Sequence, residues 1–464
     1  MDILLSHGYY LKEDPHERRV MKPYPPLGLL YVSSYLKSRG FDVGLFDATF
    51  ASPQDFPDLL TRARPPVVGL YTTLMTKISV LPMVAEAKAA GATVVLGGPD
   101  AGPYAEEYLD HGVDVVVVGE GELTTEELLP HLARHGPHDM RHIQGIVYRE
   151  DDGQIVRTAP RPLIAKLDAL PLPDREAVDL LTYMQVWREY HGAASTSLIC
   201  ARGCPYTCTW CSHSVFGDTH RRRSPERVVE EVEYLIDSYH PDHLWYADDV
   251  FTIHHGWLAK YAALLKERGI RVPFECISRP DRLNESTVRT LAEMGCARLW
   301  LGAESGSQKV IDAMQRRIRV PDARACAALL QRHGIEVGLF IMLGYEGEDL
   351  PELEETVTFL KESNPDVFLT TVAYPIKGTR YATSVADRIR SSEPWSVRTD
   401  RDHTIAGRHS KRFYSFATRW MVGEVTAHRL RRSPLRHPLQ FAKAIANAQV
   451  GRAGMLLSRT EVEA

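Results

Sequence analysis

Long apolar runs, a strong charge of either sign and abundant cysteine are all missing from this chain. Without a stretch of about 18 apolar residues, a membrane-spanning helix is not expected. The formal net charge of −5 gives no overall reason to expect a nucleic-acid partner. The N-terminus carries acid before its short apolar run and lacks a small-residue cleavage site, so we expect a cytoplasmic protein without a signal peptide. The length of 464 residues predicts two or three domains.

The seven cysteines are distributed unevenly. Four lie in the stretch CARGCPYTCTWC at 200–211, and the others are isolated, which fits a reducing compartment where clustered cysteines bind metal. Cys204, Cys208 and Cys211 form a CxxxCxxC pattern. Their soft thiolates suit zinc, copper(I) or an iron–sulfur cluster, but no second ligand pair follows to complete a structural zinc site. Three closely spaced thiolates favour a 4Fe–4S cluster with one iron left open.

Residues 1–125 alternate short apolar runs with helical patterns. Continuous Val, Ile and Leu runs predict strands covered on both faces, and the intervening helices predict a parallel, doubly wound sheet of the Rossmann or flavodoxin type. Ligands bind such sheets at the carboxyl ends of the strands. The five strand candidates are 3–6, 42–48, 67–73, 93–99 and 113–122.

A weaker pattern separates this region from a second alternation. Residues 145–156 predict a hairpin with an Asp-Gly turn, and the proline-rich stretch 160–176 predicts a linker laid over a surface. Strand candidates then alternate with helices up to about residue 375, which predicts a (β/α)6 partial TIM-type barrel with its ligands at the carboxyl strand ends. The six candidates are 196–199, 243–247, 274–278, 298–302, 336–342 and 367–373. We therefore expect an α/β protein divided into 1–140, 141–190, 191–390 and a helical C-terminal region, 391–464.

The C-terminal tail differs from the rest of the chain in charge. Between 401 and 460 it carries twelve Lys or Arg against two acids, Asp402 and Glu424. Apolar residues recur at helical spacing in LQFAKAIANAQV, residues 439–450. Two interpretations stay open: a solvated helical cap, or a surface that contacts an anionic substrate or a membrane.

The stretch CPYTCTWC at 204–211, with Trp210 immediately before the last cysteine, resembles the cluster motif of the radical S-adenosylmethionine (SAM) enzymes. Together with the segments around 145–176, it resembles the subgroup that has an N-terminal cobalamin-binding domain. The resemblance implies a 4Fe–4S cluster, SAM and cobalamin as cofactors, and a 5′-deoxyadenosyl radical made by reductive cleavage of SAM. It also implies that Cys200 is a small buried strand-end residue, because a fourth thiolate would leave no iron open.

In that family the barrel strand ends bind SAM, and the resemblance implies a role for residues at several of them. Asp248 and Asp249 would accept hydrogen bonds from the methionine ammonium, with helix capping as the alternative. Arg279 would pair with the methionine carboxylate and Glu304 with ribose hydroxyls, unless the two form a salt bridge with each other. The implied SAM set is Trp210, Asp248, Asp249, Arg279, Glu304, Ser305 and Gly344, where Gly344 would let the backbone approach the adenine.

The N-terminal sheet resembles cobalamin-binding domains in the segments LYTT, LGGP and VVGEGE. In that fold Tyr71, Thr72 and Thr73 would line the slot for the nucleotide tail, and Gly97 and Gly98 would permit its close approach. The implied cobalamin set is Tyr71, Thr72, Thr73, Gly97, Gly98, Pro99, Gly119 and Glu120.

A DxHxxG motif, whose histidine ligates cobalt in some of these domains, is broken here. The loop has Asp14 and His16, but Arg19 replaces the glycine. We expect His16 to be a surface-loop residue and cobalt to have no histidine ligand. A vestigial domain that binds nothing stays an open alternative.

These features predict a cobalamin-dependent radical SAM enzyme, with C-methylation of an unactivated carbon as the preferred reaction. Two alternatives stay open: a radical rearrangement or oxidative cyclisation, like that of the anaerobic magnesium-protoporphyrin ester cyclase, and a non-catalytic sensor that carries the cluster and cobalamin. We expect a monomer that acts on a small-molecule or lipid substrate, takes electrons from a flavodoxin- or ferredoxin-type donor, and binds no nucleic acid. The catalytic residues and the identity of the substrate are not readable from the sequence.

Overall fold

The computed structural model describes residues 1–431 and 435–463, which fold into two units. The first unit comprises Met1–Pro205, Ser212–Ala247 and Glu393–Asp400. The second comprises Tyr206–Cys211, Asp248–Ser392 and the described residues from Arg401 onward.

A seven-stranded sheet forms the centre of the first unit. Its strands are β1 (Ile3–His7), β2 (Val43–Phe46), β3 (Val67–Tyr71), β4 (Thr93–Gly97), β5 (Val115–Val117), β6 (Ile146–Arg149) and β7 (Ile155–Arg157), in the order β2-β1-β3-β4-β5-β6-β7. The first five are parallel. Val94 and Leu96 enter one core and Val95 the other, so both faces of the sheet are covered, as its continuous apolar runs predict. The predicted doubly wound sheet is confirmed.

The hairpin at 145–156 extends this sheet, because β6 pairs antiparallel with β5 as well as with β7. The proline-rich linker that follows ends near Arg175, whose side chain is buried. Arg175 Nη2 donates to Glu231 at 2.8 Å, and both side chains are fully buried. The stretch that we expected to lie over a surface is therefore tied into the core. The helices of this unit are α1 (Glu17–Val20), α2 (Leu27–Ser38), α3 (Asp55–Ala63), α4 (Lys77–Ala89), α5 (Ala105–Asp110), α6 (Gly121–His135), α7 (Leu180–His191) and α8 (Pro225–Tyr239).

Six parallel strands alternate with helices after the linker. The strands from here on are β8 (Ser195–Leu198), the short β9 (Ala201–Arg202) and β10 (Arg221–Arg222), then β11 (His243–Tyr246), β12 (Phe274–Ser278), β13 (Cys296–Glu304), β14 (Glu336–Leu343) and β15 (Val367–Val372). In the first unit β8 pairs with β11, and in the second unit β12 to β15 pair in sequence. The helices between them are α9 (His255–Glu267), α10 (Glu285–Met294), α11 (Gln308–Ala313), α12 (Val320–Arg332) and α13 (Leu350–Ser363). The predicted partial TIM-type architecture is confirmed.

The tail is helical beyond a short ribbon. Its elements are α14 (Arg380–Ser384), β16 (Ile389–Arg390), β17 (Thr404–Ile405), α15 (Lys411–Leu430) and α16 (Pro438–Ser458). Arg429 is one of the twelve basic residues counted between 401 and 460, and its side chain donates to the backbone carbonyl of Asp366 at 3.2 Å. Arg432, another of the twelve, lies outside the described residues. Within the described ranges, no helix is both long and apolar enough to cross a membrane.

Candidate active site

Cys204, the first cysteine of the CxxxCxxC pattern, lies two residues after the end of β9. Cys208 is buried, whereas Cys204 and Cys211 are partly exposed. Cys200, two residues beyond the end of β8, is fully buried, which is the placement expected for a small strand-end residue. Among the residues that the structure describes, no three His, Cys, Asp or Glu side chains lie together as a ready metal site. The ligand set of Cys204, Cys208 and Cys211 therefore stays a prediction, and the surroundings of Cys208 bear on it.

Two buried arginine side chains face the Cys208 sulfur. Arg279 Nη1 and Arg316 Nη1 each donate to its Sγ at 3.6 Å. Positive charge at this distance would offset the negative charge of a thiolate bound to iron. The surroundings of Cys208 thus fit a cluster ligand. Arg316 was not found from the sequence, because nothing in QRRIR distinguishes it from Arg317 or Arg319.

Arg316 also pairs with Glu304, the last residue of β13. Its Nη2 lies 3.3 Å from Glu304 Oε1, and both side chains are buried. Burial works to lower the pKa of Arg316, but Glu304 and the thiols of Cys208 and Cys211 raise it above its usual range. For the Glu304 carboxyl, burial raises the pKa and the charge of Arg316 acts to lower it, with burial the larger effect. Glu304 has a φ of 65°, a strained backbone conformation of the kind that collects at functional sites.

Arg279 does not form the salt bridge with Glu304 that was one of the two interpretations of the sequence. Its Nε lies 2.8 Å from Asp281 Oδ1, and its Nη2 donates to the Arg316 carbonyl at 2.7 Å. Its guanidinium also lies 3.8 Å from the centre of the Tyr206 ring. The Arg279–Glu304 salt bridge is wrong, because Glu304 pairs with Arg316 instead. Binding of the methionine carboxylate by Arg279 stays a prediction.

The segment around Thr209 is fixed within the second unit. The Thr209 backbone N–H and hydroxyl both donate to the Met314 carbonyl at 3.1 Å, and the hydroxyl lies 2.5 Å from the Tyr345 hydroxyl. Trp210 packs against the apolar cluster that contains Met314 and Tyr345. Its indole Nε1 is buried and has no hydrogen-bond partner within the described residues. A buried N–H that lacks an acceptor fits a ligand contact, as predicted for Trp210 and SAM.

The acidic and hydroxyl residues of the predicted SAM set lie at strand ends, where the barrel geometry requires them. Asp248 is buried and Asp249 is exposed, and both follow β11. Ser305 follows β13, and its hydroxyl accepts a hydrogen bond from the backbone N–H of Ser307 at 3.1 Å. The Ser305 hydroxyl therefore already has a local structural role. Contacts of these three residues with SAM stay predictions.

Gly344 follows β14 with a φ of 72°, and a Cβ at this position would lie 2.8 Å from Tyr414 Cζ. The fold requires a glycine here whether or not adenine binds beside it. The Gly344 N–H donates to the carboxylate of Glu348, whose Oε1 is buried and lacks a partner among the described residues. Burial raises the pKa of Glu348 to about 8, despite that hydrogen bond and with help from Glu352. Nothing in GYEGE indicates from the sequence which glutamate is buried.

In the first unit, a cavity of about 610 Å³ opens at the carboxyl ends of β1 and β3. Its lining is rich in tyrosine, with Tyr9, Tyr10 and Tyr24 joining Tyr71 and Thr73. Of the predicted cobalamin set, only Tyr71 and Thr73 are among the residues that line this cavity. Doubly wound sheets bind their ligands at this edge, so the position and the aromatic lining fit a face of the corrin.

Thr72 and the two glycines at the end of β4 have structural roles at the edge of the sheet. The Thr72 hydroxyl lies 3.0 Å from the Tyr108 hydroxyl in a buried position. Gly98 has a φ of 110°, and a Cβ on it would lie 2.2 Å from the Thr72 carbonyl oxygen. This close approach alone requires glycine. A Cβ on Gly97 would meet nothing nearer than 3.9 Å, and Pro99 follows in the turn. Their contacts with cobalamin stay predictions.

Glu120, which follows Gly119 after β5, is bound by two arginines. Its Oε1 accepts from Arg202 Nη1 at 2.7 Å, and its Oε2 from Arg221 Nη1 at 2.8 Å. The backbone N–H of Ile164 donates to the same carboxylate at 2.8 Å. Glu120 therefore connects β5, the linker and the ribbon of β9 and β10. A cobalamin contact of Gly119 or Glu120 stays a prediction.

Two histidines lie near the cavity, and the sequence drew attention to only one of them. His16 is exposed and is not part of the lining. His7, the last residue of β1, does line it. Its Nδ1 accepts from the Tyr9 N–H at 3.1 Å and its Nε2 lies 3.0 Å from Asp47 Oδ1, so both ring nitrogens are engaged. This arrangement agrees with cobalt that has no histidine ligand, which stays a prediction.

Comparison with known proteins adds two family matches. The B12 binding domain model matches residues 19–129, and the radical SAM superfamily model matches residues 198–360. An uncharacterised methyltransferase of Pyrococcus horikoshii is 28% identical over 83% of this chain and 84% of its own length. The anaerobic magnesium-protoporphyrin IX monomethyl ester cyclase of Rubrivivax gelatinosus is 27% identical over 74% of this chain and 63% of its own length.

A solved structure shows the same fold. The radical SAM methyltransferase TsrM of Kitasatospora setae, with cobalamin and a 4Fe–4S cluster bound, aligns with a TM-score of 0.73 at 15% identity. The alignment covers 98% of this chain and 99% of that one. The two matched domains account for the cofactor set, which is a 4Fe–4S cluster, SAM and cobalamin. Residues 198–360 therefore form a radical SAM domain, and residues 19–129 form a B12-binding domain that precedes it in the chain.

Proposed function

We propose that this enzyme is a methyltransferase that adds a methyl group to a carbon atom of a small-molecule or lipid substrate. The observation that carries the proposal is a B12-binding domain joined to a radical SAM domain in which two buried arginines face Cys208. Proteins named methyltransferases are among both its sequence relatives and its structural neighbours. An electron donor of the flavodoxin or ferredoxin type belongs to the same proposal.

The cysteines and arginines would prepare the electron-transfer step. Cys204, Cys208 and Cys211 would hold the cluster through their thiolates. When bound, the three cofactors supply the electron, the 5′-deoxyadenosyl radical and the methyl group. The guanidinium groups of Arg279 and Arg316 would stabilise the negative charge that a cluster bound through Cys208 carries.

The remaining residues of the second unit would position SAM. The free indole N–H of Trp210 would donate to it, and Asp248 would accept from its ammonium group. Glu304, held beside Arg316 at the strained end of β13, would bind the ribose hydroxyls. These contacts would fix the sulfonium close to the cluster, and orientation of this kind supplies much of an enzyme's rate advantage.

A second candidate is a radical rearrangement or an oxidative cyclisation. The cyclase of Rubrivivax gelatinosus, 27% identical over 354 residues, is the observation that favours it. The two reactions differ in what becomes of SAM. Methylation consumes one SAM for the methyl group and one for the radical, whereas a rearrangement or cyclisation consumes SAM only for the radical.

The test is to quantify both SAM products from the anaerobically reconstituted enzyme without substrate. With a strong reductant and cobalamin, a methyltransferase forms S-adenosylhomocysteine as well as 5′-deoxyadenosine. The Cys208→Ala variant should lose 5′-deoxyadenosine, and the matched Cys200→Ala variant should retain it. Formation of 5′-deoxyadenosine with no S-adenosylhomocysteine would contradict methyl transfer and favour the second candidate.

A further inference from the structure

The outward face of α16 carries a row of exposed apolar side chains. Leu439, Val450 and Leu457 are 85%, 44% and 81% exposed. Spacings of eleven and seven residues place them on one line along the helix. Ile445 and Leu456 flank this row and are exposed too. A helix that exposes several large apolar side chains on one side is typical of an interaction surface.

The opposite face of α16 is the one that packs. A Cβ on Gly451 would lie 2.4 Å from the backbone nitrogen of Trp420 in α15. A Cβ on Gly423 of α15 would lie 2.4 Å from the backbone nitrogen of Ala448. The two helices approach so closely that only glycine fits at these positions. The exposed leucines are therefore presented on a firmly packed support, and poor docking of the helix does not explain them.

Cations without acidic partners surround the start of this helix. Arg431, Arg436 and Lys443 form no ion pair with any residue that the structure describes. Leu435, 92% exposed, immediately precedes Arg436 and lies four residues before Leu439. The helix itself contains no Asp or Glu. Exposed leucines beside unpaired cations, on a helix that has no acidic residue of its own, are typical of a helix that lies in a membrane interface.

We propose that the outward face of α16, together with Leu435, docks on the surface of an anionic lipid bilayer. The leucines would enter the headgroup region, and Arg431, Arg436 and Lys443 would meet the lipid phosphates. The charges favour an anionic surface over a second copy of this chain, because α16 of a second copy has no Asp or Glu to pair with these cations. The docking surface is distinct from the cofactor sites, and it does not depend on which reaction the enzyme catalyses.

The test is sedimentation of the full-length reconstituted enzyme with lipid vesicles. The enzyme should sediment with vesicles of equal parts phosphatidylcholine and phosphatidylglycerol, and at least tenfold less with phosphatidylcholine alone. Binding should weaken as salt rises from about 0.05 to 0.3 M, since the Debye length falls over that range. This measurement needs no variant. Equal binding to both kinds of vesicle, or binding to neither, would overturn the proposal.

Variants then locate the surface. The triple change Arg431→Glu, Arg436→Glu and Lys443→Glu should lower vesicle binding at least tenfold, and so should Leu435→Ser with Leu439→Ser. The matched controls change exposed residues elsewhere: Arg62→Glu, Lys266→Glu and Arg289→Glu for charge, and Leu181→Ser for apolar area. Controls that lose binding to the same degree overturn the assignment to α16. If sedimentation velocity shows that the enzyme is a dimer and that Leu439→Ser makes it a monomer, the outward face of α16 binds a second copy of the chain. That result would overturn the choice of a lipid surface.

Discussion

Replacing Glu348 with glutamine tests whether this buried carboxyl holds its proton in the folded enzyme. Glu348 lies in the loop after β14, accepts a hydrogen bond from the Gly344 N–H, and leaves Oε1 without a partner among the described residues. Burial raises its pKa to about 8 from a reference value of 4.5. Glutamine has nearly the same shape as the protonated side chain, and its amide oxygen can accept the same Gly344 hydrogen bond.

The sign and size of the effect follow from linkage between protonation and folding. The unfolded chain releases this proton near pH 4.5, whereas the folded chain keeps it until about pH 8, so rising pH favours unfolding across that window. Between pH 5 and pH 8 the parent enzyme should lose ~3.5 kcal/mol that Glu348→Gln does not lose. For a unit of this size, that difference corresponds to roughly 7 °C in melting temperature. The cost of burying the glutamine amide is independent of pH and only offsets the two curves.

The assay is the melting temperature of parent and variant, from the same reconstituted preparation, at steps between pH 5 and pH 8. As the pH rises, the melting temperature of the parent should fall relative to that of Glu348→Gln. The control is Glu355→Gln, which changes an exposed glutamate on the following helix and should track the parent. Parallel curves for the parent and Glu348→Gln would refute the reasoning, because they would show that Glu348 is ionised in the folded state throughout.

Three further outcomes are expected at the cofactor sites. Cys208→Ala should lose the iron after anaerobic reconstitution, whereas Cys200→Ala should keep it, and equal loss in both would contradict the three-ligand set. Arg316→Gln should retain iron but slow reductive cleavage of SAM about tenfold or more, equivalent to ~1.4 kcal/mol, while the exposed neighbour change Arg317→Gln should not. His16→Ala should leave the electron paramagnetic resonance of the bound cob(II)alamin unchanged, and a nitrogen splitting that vanishes in this variant would assign His16 to cobalt.

Much of the fold could be predicted because the parallel strands are buried on both faces. Runs such as VVGLY in β3 and EVGLFIML in β14 are nearly continuous because both faces of each strand are buried. Residues placed at carboxyl strand ends by that pattern, such as Arg279 and Gly344, lie there in the structure. The hairpin of β6 and β7 was predicted as a local unit, but local turn chemistry does not specify that β6 also pairs with β5.

The parts of the site that the sequence missed depend on contacts between distant residues. Arg316 reaches Cys208 across 108 positions, and it is one of several arginines in an otherwise unremarkable turn. His7 is engaged by Asp47, 40 residues away, which no local motif encodes. Glu120 was expected beside cobalamin from the family resemblance, and the sequence did not indicate that Arg202 and Arg221 also bind its carboxylate. Such pairings arise from tertiary packing, and composition and periodicity do not carry them.

The most direct test of the proposed methyl transfer is turnover with SAM that carries a labelled methyl group. The reconstituted enzyme, supplied with reductant and cobalamin, would be offered lipid, tetrapyrrole and natural-product precursors, and the products would be examined by mass spectrometry. The account predicts a product heavier by one CH₂ unit that contains the label, formed together with 5′-deoxyadenosine and lost in Cys208→Ala. A converted substrate that contains no label would contradict it.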